Sequence, residues 1–528
     1  MKQQILIYDT TLRDGTQGEQ ISFSAEEKLR IAQKLAELGV HYVEGGWPGS
    51  NPKDMRFFQI AQKATVAPTR LTAFGSTRRA NTAAEKDSNL EALLKAETET
   101  ITIFGKSWDL HVTGILDISL EENLAMILDS VSLLKSNNRE VIYDAEHFFD
   151  GYRANPDYAL KTIQAAITGQ ADMIVLCDTN GGTMFSDVKE IVERVTKSFP
   201  RTPLGIHAHN DCGLAVANSL AAVEAGATLV QGTINGYGER CGNADLISII
   251  GNLQLKLGKH CLDESKIKHL TEVSRYVSDI ANIPPLNERP FVGRSAFSHK
   301  GGVHVSAILK EPKAYEHIEP GTVGNKRRVL VSDLSGRSNI EYKAREMDLA
   351  LGGNGYDSKK IVEEIKRMED RGYQFDAAEG SLELLIKRAT GQFKVPFSLL
   401  SLRVINEKNK EGHVISQATI KISVGEEEEI TAAEGNGPVN AIDNALRKAL
   451  RKFYPAIGEM RLVDFKVRVL EGSAGTGARV RVLIESRDKK DIWNTVGVSE
   501  NIIEASWQAL VDSIYFKLSK DEKPEQAA

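Results

Sequence analysis

Two short stretches of this chain carry residue types that can do chemistry at close range. His207-Ala208-His209 sets two imidazoles two positions apart, and on a β-strand residues so spaced point to one side. Near the start, Asp9-Thr10-Thr11-Leu12-Arg13-Asp14-Gly15-Thr16-Gln17 leaves a short apolar run and puts a guanidinium beside a carboxylate. Two imidazoles and the Asp14 carboxylate can hold a divalent cation with positions left open for water and substrate. Arg13 offers a planar fork suited to a carboxylate. The plainer alternatives are a surface Arg–Asp pair in a tight turn and two hydrogen-bonded histidines beside Asn210 and Asp211. Asn243, near the start of the helix opened by Gly238-Glu239-Arg240-Cys241-Gly242, can add a carbonyl oxygen to the metal or its water, or serve only as a cap.

Such groups must converge, and the elements that carry them can be counted. Apolar runs at Ile5–Tyr8, Tyr42–Gly45, Leu71–Phe74, Thr100–Phe104, Val141–Ala145, Met173–Cys177, Leu204–Ala208 and Leu229–Thr233 read as strands. Between them, Ala25–Leu38, Leu120–Leu134, Tyr158–Ile167 and Ala215–Ala225 place apolar residues at three- and four-residue spacing, as helices do. Eight βα units within residues 1–260 fit an α/β fold of the (β/α)8 TIM barrel type; an open doubly wound sheet is the alternative. A barrel keeps its chemistry on the carboxyl ends of its strands. Arg13, Asp14, Glu44, Asp144, Glu146, Asp178, Thr179, His207, His209, Asn235, Glu239 and Asn243 all fall there.

After the barrel the rhythm changes. Residues 261–394 read as charged, mostly helical linker and lid segments, broken by Phe297-Ser298-His299-Lys300-Gly301-Gly302-Val303-His304. A glycine pair flanked by histidines can be a mobile lid carrying a catalytic base, or an exposed loop. Residues 395–519 read as an α+β domain built from two βββα repeats, with strands at Ser398–Val404, Val414–Val424 and Glu428–Ala432 before a helix at Pro438–Phe453. The second copy runs through Leu462–Leu470, Arg479–Glu485 and Ile492–Val498 to a helix at Ile502–Leu518. Residues 520–528 read as a disordered tail.

Composition narrows the function. The 528 residues carry a net charge of −6, which argues against general nucleic-acid binding. No run of about 18 apolar residues predicts a membrane span, and the segment after Met1-Lys2-Gln3-Gln4 is too short for a signal peptide's apolar core. Cys177, Cys212, Cys241 and Cys261 show no CxxC pairing; reduced structural thiols in a cytoplasmic protein are the expectation. The glycine-rich run Gly232–Gly238 has neither Walker nor GxGxxG spacing, so a nucleotide loop is not expected.

Taken in order, Asp9–Gln17, His207–Asp211, Gly238–Asn243, Gly301-Gly302-Val303-His304 and Tyr315–Pro320 resemble the isopropylmalate, homocitrate and citramalate synthases, nearly end to end. The resemblance implies a Claisen-type condensation of acetyl-CoA with a 2-oxo acid, followed by hydrolysis to free CoA. It also implies a divalent ion, manganese, zinc or magnesium, held by Asp14, His207, His209 and Asn243. Arg13 would support the oxo acid's oxygen, and Thr179 with Tyr143 or Asp144 its carboxylate. Asp144 departs from the small or aromatic residue expected there. Glu146 and His304 would form the acid/base pair, and Tyr315 would assist hydrolysis.

Thr11–Glu19 and Ile21-Ser22-Phe23-Ser24 point, within that family, to members that use pyruvate; the isopropylmalate enzymes more usually carry Glu where Thr16 stands. Phe74 and Phe104 could narrow the pocket to pyruvate's methyl, or be barrel packing. A homodimer and an isoleucine effector at the carboxyl-terminal domain are further implications, with Gly435, Gly437, Gly497 and Asn501 the candidate effector turns, or packing positions. The alternatives are another synthase of the group, a lyase of the 3-hydroxy-3-methylglutaryl-CoA type, and a non-catalytic amino-acid sensor.

Overall fold

The computed structural model describes residues 4–347, 358–408, 410–470 and 472–521. Eight parallel strands close into a barrel in sequence order: β1 (Leu6–Asp9), β2 (Tyr42–Gly46), β3 (Arg70–Ser76), β4 (Thr100–Lys106), β5 (Glu140–Glu146), β6 (Met173–Asp178), β7 (Leu204–Ala208) and β8 (Leu229–Gly232). Register is continuous at closure, with Leu6 opposite Leu229 and Asp9 opposite Gly232. The open-sheet alternative is thereby excluded. Strands of this kind are covered on both faces, which is why they read as unbroken apolar runs.

Side-chain parity divides each strand between two environments. One set faces the helices and joins Ile31, Leu35, Leu134, Ile163 and Val192 in the main core. The other set fills the barrel in layers. At the base, Tyr42 Oη donates to Glu140 Oε1 at 3.0 Å and Arg70 Nη1 to the same oxygen at 2.9 Å. One layer up, Tyr8 Oη donates to Glu44 Oε2 at 2.6 Å and lies 2.8 Å from Thr102 Oγ1. The helix Ala25–Leu38 starts at a capping box, Ser24 accepting from the Glu27 amide while the Glu27 carboxylate accepts from the Ser24 amide.

The described chain forms two compact units, residues 1–297 with 318–326, and residues 298–317 with 327–528. The first therefore runs past residue 260: the helix Leu270–Ala281 and Phe291, Val292 and Phe297 belong to the barrel's core. The returning segment is fastened there, with Thr271 Oγ1 donating to the Val323 carbonyl at 2.7 Å and Asn325 Nδ2 to that of Phe291 at 3.0 Å.

The second unit opens with β9 (Ser298–His299) paired to β10 (Arg328–Val329), then the helices Arg337–Glu346, Ser358–Asp370 and Glu379–Ala389. Its carboxyl-terminal part consists of two antiparallel sheets, β11 (Ser398–Lys408), β12 (Val414–Val424) and β13 (Glu427–Gly435), and β14 (Arg461–Val469), β15 (Val480–Arg487) and β16 (Ile492–Ser499). Each sheet is followed by its helix, Pro438–Leu450 or Ile502–Asp521, and both repeats share one core that includes Ile420, Leu446, Val482, Trp493 and Leu510. The last helix continues through Lys520 and Asp521, which a tail beginning at 520 did not anticipate; residues 522–528 of that tail lie outside the described residues. Among the described residues no helix is long and apolar enough to cross a membrane.

Candidate active site

The turn leaving β1 is set by a buried carboxyl group. Asp9 accepts from the Thr11 amide at 2.9 Å and the Thr11 hydroxyl at 2.8 Å, and that hydroxyl accepts from the Ile234 amide at 2.8 Å. Burial pushes the Asp9 carboxyl up to about 7, against these hydrogen bonds. The folded protein thus keeps this proton where the unfolded chain has released it. The stabilisation is fully present below the unfolded pKa and is lost as pH rises through about 7. Asp9→Asn should therefore gain stability relative to the unmodified protein by about 2–3 kcal/mol between about pH 5 and about pH 8.5, read by denaturant titration.

Beyond that turn, Asp14 meets the two histidines. His207 Nε2 lies 3.4 Å and His209 Nε2 4.0 Å from Asp14 Oδ2, with the two imidazole nitrogens 3.4 Å apart. Among the described residues this is the one group of three such side chains whose ligand atoms converge this closely. Asp14, His207 and His209 are buried, at 2%, 5% and 6% exposure.

The imidazole of His207 is oriented by Gln231, whose Oε1 lies 2.8 Å from Nδ1 while its Nε2 donates to Asp144 Oδ1 at 3.0 Å. That amide, fixed at its other end, accepts the Nδ1 proton and aims Nε2 at Asp14. Burial lowers the His207 imidazole, but the hydrogen bond and charge of Asp14 outweigh it and raise His207 above its ordinary value. Burial would raise the Asp14 carboxyl, but Arg13 and the two histidines hold it well below the usual carboxylate range. Burial, then the neighbouring His207, pushes His209 down to about 4, the neutral form a ligand needs.

These residues fit a divalent cation on the chemistry of the donors and on two orphaned atoms. Asp14 Oδ1 and Asn243 Oδ1 are buried oxygens without a hydrogen-bond partner, a costly condition that a cation would relieve. Asn243 pairs with His209 through an isolated β-bridge, and its Nδ2 donates to the Tyr237 carbonyl at 3.1 Å, which turns Oδ1 away from that contact. Gly238 makes room for this amide: its φ is +153°, and a Cβ there would stand 2.1 Å from Asn243 Nδ2. Gly238→Ala should lower the affinity for Mn²⁺ by about tenfold or more, measured by calorimetry, if the Asn243 amide it displaces takes part in holding the ion.

Arg13 borders the cluster. Its Nε donates to Glu44 Oε1 at 2.5 Å, Nη1 lies 3.5 Å from Asp14 Oδ2, and the guanidinium stacks 3.8 Å over the Phe74 ring. Phe74 stacks on Phe104 with centroids 5.5 Å apart, and Trp47 meets both rings edge-on. Phe74 and Phe104 share strand parity with Thr72 and Thr102, so they face the barrel interior one layer above the Tyr8–Thr102 contact. Asp144 also faces inward; burial and the nearby Glu44 carboxylate push it up to about 7. Glu44, Gln231 and Trp47 had no assigned role from sequence. Only Glu44's strand-end position could have signalled it.

The remaining candidates are placed differently. Tyr143 is fully buried in the barrel–helix core, so of the Tyr143–Asp144 pair only Asp144 faces the interior; strand parity is the reason. The Thr179 hydroxyl accepts from the His147 amide at 2.9 Å, at the turn immediately after Glu146. Glu146 forms an ion pair with Lys106. His304 and Tyr315 belong to the second unit, where their rings stack 4.3 Å apart. Gly435 and Gly497 pack each repeat's third strand on its own helix: a Cβ would stand 2.3 Å from Ala441 N in one and 2.0 Å from the Ala505 carbonyl oxygen in the other. Gly437 caps the helix Pro438–Leu450, and Asn501 Oδ1 accepts from the Ile503 amide at 2.8 Å.

With this geometry in view, the likeness to known proteins is specific. A family model described as HMGL-like matches residues 4–277, a homocitrate synthase post-HMGL domain-like model matches 291–373, and one for the LeuA allosteric (dimerisation) domain matches 376–518. An (R)-citramalate synthase of Geobacter sulfurreducens is 57% identical over 99% of each chain, and one of Aquifex aeolicus 56% identical over 99% of each. A 2-isopropylmalate synthase of Pseudoalteromonas atlantica is 33% identical, covering 97% of this chain and 95% of that one. From these matches and the site they enclose, the chain belongs to the HMGL-like family, in the group formed by the (R)-citramalate and 2-isopropylmalate synthases.

Proposed function

We propose that the chain is an (R)-citramalate synthase, joining acetyl-CoA to pyruvate and hydrolysing the thioester to release citramalate and CoA, the first step of a pyruvate route to isoleucine. The observation that carries this reading is the buried Asp14–His207–His209 cluster bordered by Arg13 and an aromatic wall, in a chain whose whole length matches citramalate synthases.

Asp14, His207, His209 and Asn243 would hold the divalent ion, which supplies Lewis acidity to the oxo acid's carbonyl when bound. Arg13, fixed by Glu44 and Phe74, orients that substrate and adds positive charge where the carbonyl oxygen becomes negative. Glu146 takes a proton from the acetyl methyl group; the freed electron pair forms the new bond to the pyruvate carbonyl carbon. Thr179, whose hydroxyl accepts from the His147 amide beside Glu146, hydrogen-bonds the oxo acid's carboxylate. His304, with Tyr315 stacked on it, serves the proton transfers of condensation and hydrolysis, in which water adds to the thioester carbonyl and CoA leaves.

Residues 376–518 match a family model described as an allosteric (dimerisation) domain, which supports a homodimer and an effector site; isoleucine is the effector we assign to it. The capped helix starts near Gly437 and Asn501 are the turns we assign to that effector.

The test is CoA release from acetyl-CoA by metal-loaded protein given pyruvate, 2-oxobutyrate, 2-oxoisovalerate or 2-oxoglutarate, with and without isoleucine. Preference for pyruvate, suppressed by isoleucine, is expected; preference for 2-oxoisovalerate would reassign the chain to 2-isopropylmalate synthesis. His304→Ala should keep metal and pyruvate binding while losing about 10²–10⁴-fold in turnover. Unchanged turnover would remove His304 from the mechanism.

A further inference from the structure

We propose that Trp47 is a specificity-determining residue that restricts the 2-oxo acid to a methyl side chain; this rests on the reading of the site as one that condenses acetyl-CoA with a 2-oxo acid. Trp47 directly follows β2. Its indole meets Phe74 at 5.9 Å and 86° and Phe104 at 5.6 Å and 82°, so it buttresses the pair on which Arg13 lies. The order of contacts runs from Asp14 to Arg13, to Phe74, to Phe104 and Trp47. On this reading, the oxo acid's side chain ends against this apolar wall, one ring away from the guanidinium that orients the substrate.

The wall is fixed at two points on Trp47. Indole Nε1 donates to Asn89 Oδ1 at 2.6 Å, and Asn89 Nδ2 donates to the Ser76 carbonyl at 2.7 Å, tying the ring to the end of β3. The Trp47 amide donates to Asp54 Oδ2 at 2.9 Å. The other Asp54 oxygen is paired with Lys28, which also donates to the Gly45 carbonyl at 3.0 Å. Lys28 is 1% exposed and Asp54 7%. Taking two charges out of water is costly, and what this pair secures is the path of the chain from β2 into Trp47. Gly46 completes the fit: its φ is +145°, and a Cβ would stand 2.4 Å from the Asp54 carboxyl carbon.

A tryptophan held by both its ring nitrogen and its backbone cannot swing aside for a longer substrate. Truncating it opens a space larger than the methylenes that separate pyruvate from its longer homologues. Each methylene is worth about 10–200-fold in discrimination when a pocket can accept or refuse it.

The experiment compares kcat and KM for pyruvate, 2-oxobutyrate and 2-oxoisovalerate in the unmodified protein, Trp47→Ala and Trp47→Phe, with melting temperatures alongside. The expected result is a rise of at least about tenfold in the ratio of kcat/KM for 2-oxobutyrate over pyruvate in Trp47→Ala, carried by KM, with Trp47→Phe shifted less and in the same direction. Should Trp47→Ala fail to fold, Trp47→Phe must still move the ratio. An unmoved ratio in folded variants of an enzyme that does consume pyruvate overturns the inference and leaves the proposed function standing. If the unmodified protein releases CoA with none of the three, the proposed function fails, and this inference with it.

Discussion

Asp14→Asn should leave a folded protein that no longer retains its metal and turns over about 10²–10³-fold more slowly. Asp14 is the anion to which Arg13, His207 and His209 are all directed, and its carboxyl is held ionised by them against the effect of burial. An amide of the same shape removes the charge and leaves those groups facing one another. Groups that merely orient metal ligands cost about 10–100-fold in affinity when removed, so a ligand itself should cost at least as much. Metal content after gel filtration and Mn²⁺ calorimetry give the answer. Retention at the unmodified level would mean that the two histidines and Asn243 suffice, or that the ion is held elsewhere.

Glu146→Gln should keep the metal and lose about 10²–10⁴-fold in CoA release, the contribution of a positioned base. The glutamine preserves side-chain length but cannot accept the methyl proton, and it ends the ion pair with Lys106. Exchange of the acetyl-CoA methyl protons into deuterated water separates this from a binding defect: exchange should stop in Glu146→Gln and persist in a variant impaired only in hydrolysis. Continued exchange at the unmodified rate would assign the base to another group.

The elements were legible where one local rule governed them. Strands such as Met173–Asp178 are covered on both faces and announce themselves as apolar runs, and the Ser24–Glu27 box marks a helix start without reference to anything distant. The histidine pair was legible for a similar reason, since two residues on one strand fix each other's direction. What escaped depends on strand parity and on register across the barrel. Tyr143 and Asp144 are neighbours in sequence yet face opposite layers. Gln231 acquires meaning only because the closed barrel brings it to both His207 and Asp144, the latter 87 positions away. Trp47 follows a strand as an ordinary apolar residue, and only the folded contacts with Asn89, Phe74 and Phe104 distinguish it.

The chain leaves the barrel unit at residue 297, returns to it for 318–326, and leaves again. A gene cut at one place cannot yield both units whole: ending at 297 discards the fastened strap around Val323 and Asn325, and ending at 326 carries along 298–317, which belong to the other unit. One cut therefore cannot exchange the second unit whole, whereas the segment 376–518 that matches the LeuA model lies entirely beyond both crossings.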